Sequence, residues 1–296
     1  MKRTGLMACA SALVMTASMA AAADLPSRAK APAYIAPAPV ATWTGLYIGL
    51  NAGLTRSAAR SVDAGAFGLL NNGGNPAILQ AAALASTGVY VPENKLGFIG
   101  GAQIGYNLQL GSHLVAGLEA DIQGLAGASS VANGFGAAPT PNGLGLFALA
   151  TVDNRVEWLG TARARLGLLA SPALLVYATG GLAYGGVKST FAVSQFHPGP
   201  NLTGFAGGAM SSTRVGWTAG AGLEWAFARN WSAKAEYLYY DLGSTEAGYM
   251  LAGTFPNGAV RYVIGGALKS RHDGHIARVG LNYRFGWANA PVVAKY

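Results

Sequence analysis

The segment WLGTARARLGLL (residues 158–169) sets two arginines, Arg163 and Arg165, at alternate positions inside an apolar run. On an α-helix, residues two apart point to nearly opposite sides, so the pair would defeat any single polar stripe. On a β-strand they share one face, and the leucines take the other. The segment is therefore read as a strand with one charged and one apolar face. Whether the charged face looks outward to water or inward depends on the rest of the chain.

From Trp43 onward the same period-two pattern recurs, separated by breaks rich in Gly, Asn, Pro and Ser. In TGLYIGLNAGLT the even positions Leu46, Ile48, Leu50, Ala52 and Leu54 are apolar. In LGFIGGAQIGYNLQL the even positions run from Leu96 to Leu110, and Gln103, Asn107 and Gln109 occupy odd ones. Further windows lie near 114–125, 155–168, 174–187, 214–227, 231–242 and 275–285. The eight segments are long enough to cross a bilayer at a tilt near 45°. Breaks after the second, fourth and sixth are short (GSH, ASPA, ARN); the other four span 56–95, 127–153, 189–212 and 244–273. Sorting by loop length in this way predicts an all-β fold, an eight-stranded antiparallel transmembrane β-barrel with short periplasmic turns and four long extracellular loops.

Charge placement supports that choice. With each strand's register set by its apolar residues alone, Glu119, Asp121, Glu157, Arg163, Arg165, Glu224, Lys234, Glu236, Arg278 and Arg284 all fall on the opposite face. Ten such placements would coincide by chance about once in a thousand, and the side-chain period of two is their cause. A lipid-facing Lys or Arg near the midplane costs about 2–4 kcal/mol, so ten outward charges would exceed a stability of about 5–15 kcal/mol. Five acids and five bases can instead pair inside a barrel just wide enough for side chains to fill. Composition agrees: 51% of residues are hydrophobic and 11% charged, roughly half the usual charge. No run of eighteen apolar residues lies beyond the N-terminus. Aromatics fall in two groups, Tyr106, Trp225, Phe227, Trp231, Tyr283 and Phe285 near the short-turn ends, and Phe98, Trp158, Tyr184, Trp217 and Tyr239 near the other rim.

The ends of the chain read differently. Lys2 and Arg3, an apolar run and Ala21-Ala22-Ala23 make residues 1–23 a signal peptide cleaved after Ala23. Cys9, the single cysteine, lies too near the start for a lipidation site, and its removal leaves an exported chain without disulfides. Residues 24–42, with Pro26, Pro32, Pro37 and Pro39, form a periplasmic linker. The barrel is expected over 43–286, followed by a tail at 287–296. The outer membrane is the expected location. Net charge is +8 without any Lys/Arg cluster, so nucleic acid is not an expected partner.

WTGLYIGLNAG, IGGAQIGYNLQLGSHLVAGLEADIQG, WLGTARARLGLL, LVYATGGLAYGG, WTAGAGLEWAFARNWSAKAEYLYYDLG and HIARVGLNYRFGW resemble the small outer-membrane β-barrel proteins of alphaproteobacteria, an OmpA-like, porin-family group, over residues 43–287. The resemblance implies an eight-stranded barrel, outer-membrane location and surface exposure; some relatives are implicated in envelope integrity, host interaction or haemin binding. It also implies membrane lipid, lipopolysaccharide and the barrel-assembly machinery as partners, with host or surface ligands at the loops. Such barrels usually end on an aromatic residue, whereas here GWANAPVVAKY continues past Phe285 to Tyr296. Eleven residues cannot form the peptidoglycan-binding domain of full OmpA proteins.

For chemistry the sequence offers little. A catalytic barrel needs a nucleophile or activated water beside a base, and RHDGH, with His272, Asp273 and His275, reads more simply as a polar loop. No enzyme and no cofactor is expected. A structural barrel displaying surface loops is the leading reading. A narrow porin-like channel is the second, since Gly45, Gly49, Gly53, Gly101 and Gly105 leave room on one wall. Haemin or metal binding through His197, His272 and His275 is the third.

Overall fold

Strand pairing in the computed structural model, which describes residues 42–285 except Pro200, runs round a closed ring. The elements in chain order are β1 (Gly45–Ser57), β2 (Val62–Asn71), α1 (Pro76–Ala85), β3 (Gly88–Tyr90), β4 (Pro92–Leu110) and β5 (Leu114–Ala126). They continue with β6 (Ser129–Pro139), β7 (Gly145–Ser171), β8 (Leu174–His197), β9 (Leu202–Ala226), β10 (Trp231–Thr254) and β11 (Val260–Arg284). Eight of the strands close the ring in the order β1-β4-β5-β7-β8-β9-β10-β11, and β11 returns to pair with β1 from Tyr47↔Arg284 to Ser57↔Gly274. All these pairings are antiparallel. The seams β4–β5, β7–β8 and β9–β10 are joined at one end by short connections. At the first of these, Gly111 adopts a φ of 69°, a conformation that favours glycine.

The expectation of eight strands is corrected by this count: the described residues form eleven strands and one helix. The difference lies in the four segments expected to be loops. Segment 56–95 contains β2, α1 and β3, and 127–153 contains β6 and the first part of β7. Segments 189–212 and 244–273 are largely continuations of β8, β9, β10 and β11. Their alternation is carried mostly by Ala, Gly, Ser and Thr, whose two faces differ too little in hydrophobicity to stand out in the sequence.

At Asp241–Ser244 the β10–β11 ladder slips, and Gly243 has a φ of 79°. Beyond Asp241↔Trp217 the β9–β10 ladder stops, to meet again only at Thr254↔Thr203. The extended strands consequently separate into two sheets, β3-β2-β11-β10 and β6-β7-β8-β9. Helix α1 packs against β2 and β6. Asn75 caps its first turn by accepting from Ala77 N at 3.0 Å, and Pro76 opens it, where a missing N–H costs nothing. Its buried Ala81, Ala82 and Ala85 join an apolar core with Leu146, Val193, Leu251, Tyr262 and Ile264.

The expected signal peptide (1–23), nearly all of the linker (24–42) and the tail (287–296) lie outside the described residues.

Candidate functional site

Inside the ring the side chains are stacked in layers. Nearest the short turns, Trp43, Val115, Leu169, Leu175 and Tyr177 form an apolar layer. Trp43 is held by its backbone N–H donating to Gln109 Oε1 at 2.9 Å and its indole N–H to Pro172 O at 3.2 Å. A second apolar layer toward the long ends contains Ile99, Leu159, Val187, Leu238, Tyr240 and Ile276. Between the two lies a charged layer.

Arg163 is its centre. Its guanidinium donates to Glu236 Oε1 at 3.0 Å, to Asp121 Oδ2 at 2.9 Å and to Glu119 Oε1. Arg278 reaches Asp121 Oδ2 at 2.9 Å and Glu236 Oε2 through Nε at 2.8 Å. Lys234 Nζ lies 2.9 Å from Glu119 Oε1, and Arg165 Nη2 lies 2.6 Å from Glu224 Oε2. Every one of these side chains is 2% exposed or less. Charge-assisted bonds of this kind are about twice as strong as neutral ones, but each buried ion has lost its hydration, so removing one partner is the costly event.

Two of the ten expected members stand elsewhere. Glu157 is exposed, because it is the extra residue of a bulge between Val156↔Val187 and Trp158↔Gly186. The bulge removes it from the face that parity assigned. Arg284 is buried but forms no ion pair among the described residues; it lies 4.5 Å from the Trp43 ring centroid and donates to Thr42 O at 3.3 Å. The other eight meet in one network.

Sequence reasoning missed the neutral partners. Tyr47 donates to Glu119 Oε2 at 2.6 Å and Tyr177 to Glu236 Oε1 at 3.1 Å. Ser232 and Asn282 donate to Glu224 Oε1 at 2.6 and 2.9 Å. All lie on the inward parity, which was the available signal. The glycines expected to leave room for a pore are occupied instead. A Cβ at Gly105 would strike the Tyr47 hydroxyl, one at Gly53 the backbone of Arg278, and one at Gly49 the Asn282 amide.

The three candidate histidines do not converge. His272 and His275 are an odd number of residues apart on β11, so they point to opposite faces. His272 is buried with Nε2 2.8 Å from Thr245 Oγ1, while His275 is exposed with Nδ1 2.6 Å from the Tyr237 hydroxyl. His197, also buried, lies 3.2 Å from Thr140 Oγ1 in the distal core. Among the described residues no group of three His, Cys, Asp or Glu is placed to hold a metal. His272 lies beyond the aromatic rim, and burial followed by the Arg214 guanidinium pulls its imidazole down to about 4.

Outside the ring, the residues of opposite parity are apolar and exposed: Leu50, Phe98, Leu118, Leu166, Leu182 and Val279 are examples. On one rim Trp158 and Tyr184 meet edge to face at 6.0 Å, and Trp217 and Tyr239 meet as tilted rings at 5.4 Å. On the other, Trp225 and Phe227 are tilted and Trp231 and Tyr283 meet edge to face. A surface that is apolar outside and charged within belongs to a protein dissolved in lipid.

The family description "Outer membrane protein beta-barrel domain" matches residues 9–285. The chain belongs to this family. Among its relatives, the 31 kDa outer-membrane immunogenic protein of Brucella melitensis is 36% identical over 276 residues, covering 93% of this chain and 98% of the relative. The 22 kDa outer membrane protein of Rhizobium leguminosarum is 32% identical over 150 residues, covering 51% and 55%. Among solved structures, OprG of Pseudomonas aeruginosa aligns over 82% of this chain and 96% of its own, with 9% identity and a TM-score of 0.35. This outer-membrane β-barrel is thus placed in the outer membrane, in a family whose relatives here are alphaproteobacterial.

Proposed function

We propose that this protein is a structural outer-membrane barrel. Its eight-stranded ring spans the bilayer, and the four long strand-and-helix extensions display a folded platform at the cell surface. The observation that carries this reading is the filled interior: a charged layer in which each of eight buried ions meets an opposite charge lies between two apolar layers, with Trp43 closing the end near the short turns. An aqueous path would have to hydrate Arg163, which touches both Glu119 and Glu236 directly. Eight-stranded rings are commonly filled by side chains, and conducting porins have about twice as many strands.

The outward apolar band takes membrane lipid and lipopolysaccharide as its solvent, and the barrel-assembly machinery is the partner that inserts it. The platform is the part available to host or surface ligands. Catalysis is not assigned, since the buried acids and bases neutralise one another. Haemin binding has no convergent axial ligands to support it.

Conductance of the refolded protein in planar bilayers tests the reading. The wild type is expected to be silent. Discrete openings in the wild type, in a preparation that migrates as folded on an unheated gel, would overturn it in favour of the channel.

A further inference from the structure

Beyond Asp153 and Thr190, the outer face of the sheet β6-β7-β8-β9 is neither lipid-facing nor charged. Register places Phe135 opposite Leu149, Phe147 opposite Phe196, and Ser194 opposite Phe205, so the aromatic side chains of four strands adjoin. Phe135, Leu149, Phe196 and Phe205 are 65%, 59%, 49% and 70% exposed, and Phe135 stacks on Phe147 at 6.0 Å. Residues 127–152 and 189–213 contain no Asp, Glu, Lys or Arg. Leu149 stands about 30 Å along its strand from Trp158 of the aromatic rim. The exposed Arg155 and Lys188, opposite one another in the ladder, lie between them. The patch therefore faces the aqueous layer, where an apolar area of this kind marks an interaction site.

We infer that this face is where a second copy of the chain docks, side by side in the same membrane, about a twofold axis along the membrane normal. The inference rests on the spanning orientation proposed above. Three observations select this occupant. A twofold axis brings identical residues face to face, so a charged patch would repel itself, and this one carries no charge. It also offers nothing to a polyanion or a charged peptide. Second, the patch looks sideways and lies on the strands whose lower parts carry the lipid-facing Leu166, Leu168 and Leu182. A neighbour must be upright and of equal height to meet both levels, and another copy is so by construction. Third, the five side chains offer roughly 500 Å², short of the about 800 Å² per partner of a stable interface. The lipid-facing wall below the Arg155–Lys188 row supplies the remainder; within that row Arg155 is paired with Asp153 at 2.6 Å. The other extended sheet is a poor alternative, because Asp63, Lys269 and Glu246 form a charged row across it.

The lone cysteine, Cys9, makes the test direct. In a Cys9→Ser background, Leu149→Cys and Glu246→Cys are expressed as full chains, and intact cells are treated with a short bis-maleimide. Leu149→Cys is expected to give a product of twice the monomer mass and Glu246→Cys to remain monomeric. Adding Phe147→Ser and Phe205→Ser to Leu149→Cys is expected to reduce that product at least fivefold. Heat-dependent gel migration reports the ring separately, so loss of the barrel and loss of the dimer are distinguishable. The proposal is overturned by a folded Leu149→Cys that stays monomeric. It is equally overturned by a product of another mass, by equal cross-linking at Glu246→Cys, or by a product that the two serines leave unchanged.

Discussion

Arg163 donates to Glu236 across the interior of the ring at 3.0 Å, although 73 residues separate them in sequence. The same guanidinium holds Glu119 and Asp121. One side chain on β7 thus ties β5 and β10, which are not neighbours in the wall. Replacing it by alanine leaves three buried carboxylates short of a partner. Arg163→Ala is expected to lower stability by about 3–5 kcal/mol, measured by urea unfolding of the protein refolded into lipid vesicles.

Glu157 supplies the contrast. Parity put it in the same network, but it is exposed at a bulge. Glu157→Gln is expected to change the same unfolding free energy by less than about 0.5 kcal/mol. A loss comparable to that of Arg163→Ala would mean that the bulge is misplaced.

The buried His272 makes stability depend on pH in a defined window. Its folded value, about 4, lies below the usual 6.5 or so of an unfolded histidine. Between these values the unfolded chain binds the extra proton, so stability rises with pH there. The contribution is complete above the unfolded value and is lost as pH falls toward the folded one. His272→Gln is expected to flatten this part of the profile, by up to about 3 kcal/mol between pH 7 and pH 4. Urea midpoints of wild type and variant at pH 7.5 and 4.5 measure the difference.

Gln195 fastens the helix to the platform. Its amide donates to Ala82 O at 2.7 Å and Ser86 Oγ at 2.6 Å, and its carbonyl accepts from the Tyr262 hydroxyl at 2.8 Å. Gln195→Leu strands three buried groups, at a cost of about 1–3 kcal/mol for each left without a partner. Limited proteolysis is expected to cut faster between residues 76 and 90, while heat-dependent migration of the ring is unchanged.

Histidines on opposite faces of β11 cannot share a porphyrin. A haemin titration is expected to give no Soret change that His272→Ala/His275→Ala removes. Loss of a wild-type Soret shift in that double variant would restore these residues as ligands.

The wall was legible because its two faces differ so strongly. Leu118 and Ile122 beside Glu119 and Asp121 leave no ambiguity, since lipid and lumen demand opposite chemistry. The same contrast located eight members of the charged layer. It failed where the contrast fades. In β6, VANGFGAA alternates between small residues, and the helix face of Ala81, Ala82 and Ala85 carries no strong period. A single inserted residue at Glu157 reversed a parity that sequence alone could not see slipping. The histidines were grouped by nearness in sequence, whereas a strand separates odd neighbours onto different sides.

The pairing of β1 with β11 makes the two ends of the described chain adjacent staves of one wall. Without β11, β1 and β10 would each present a bare row of peptide groups. A truncation that removes β11 therefore discards the latch along with the strand.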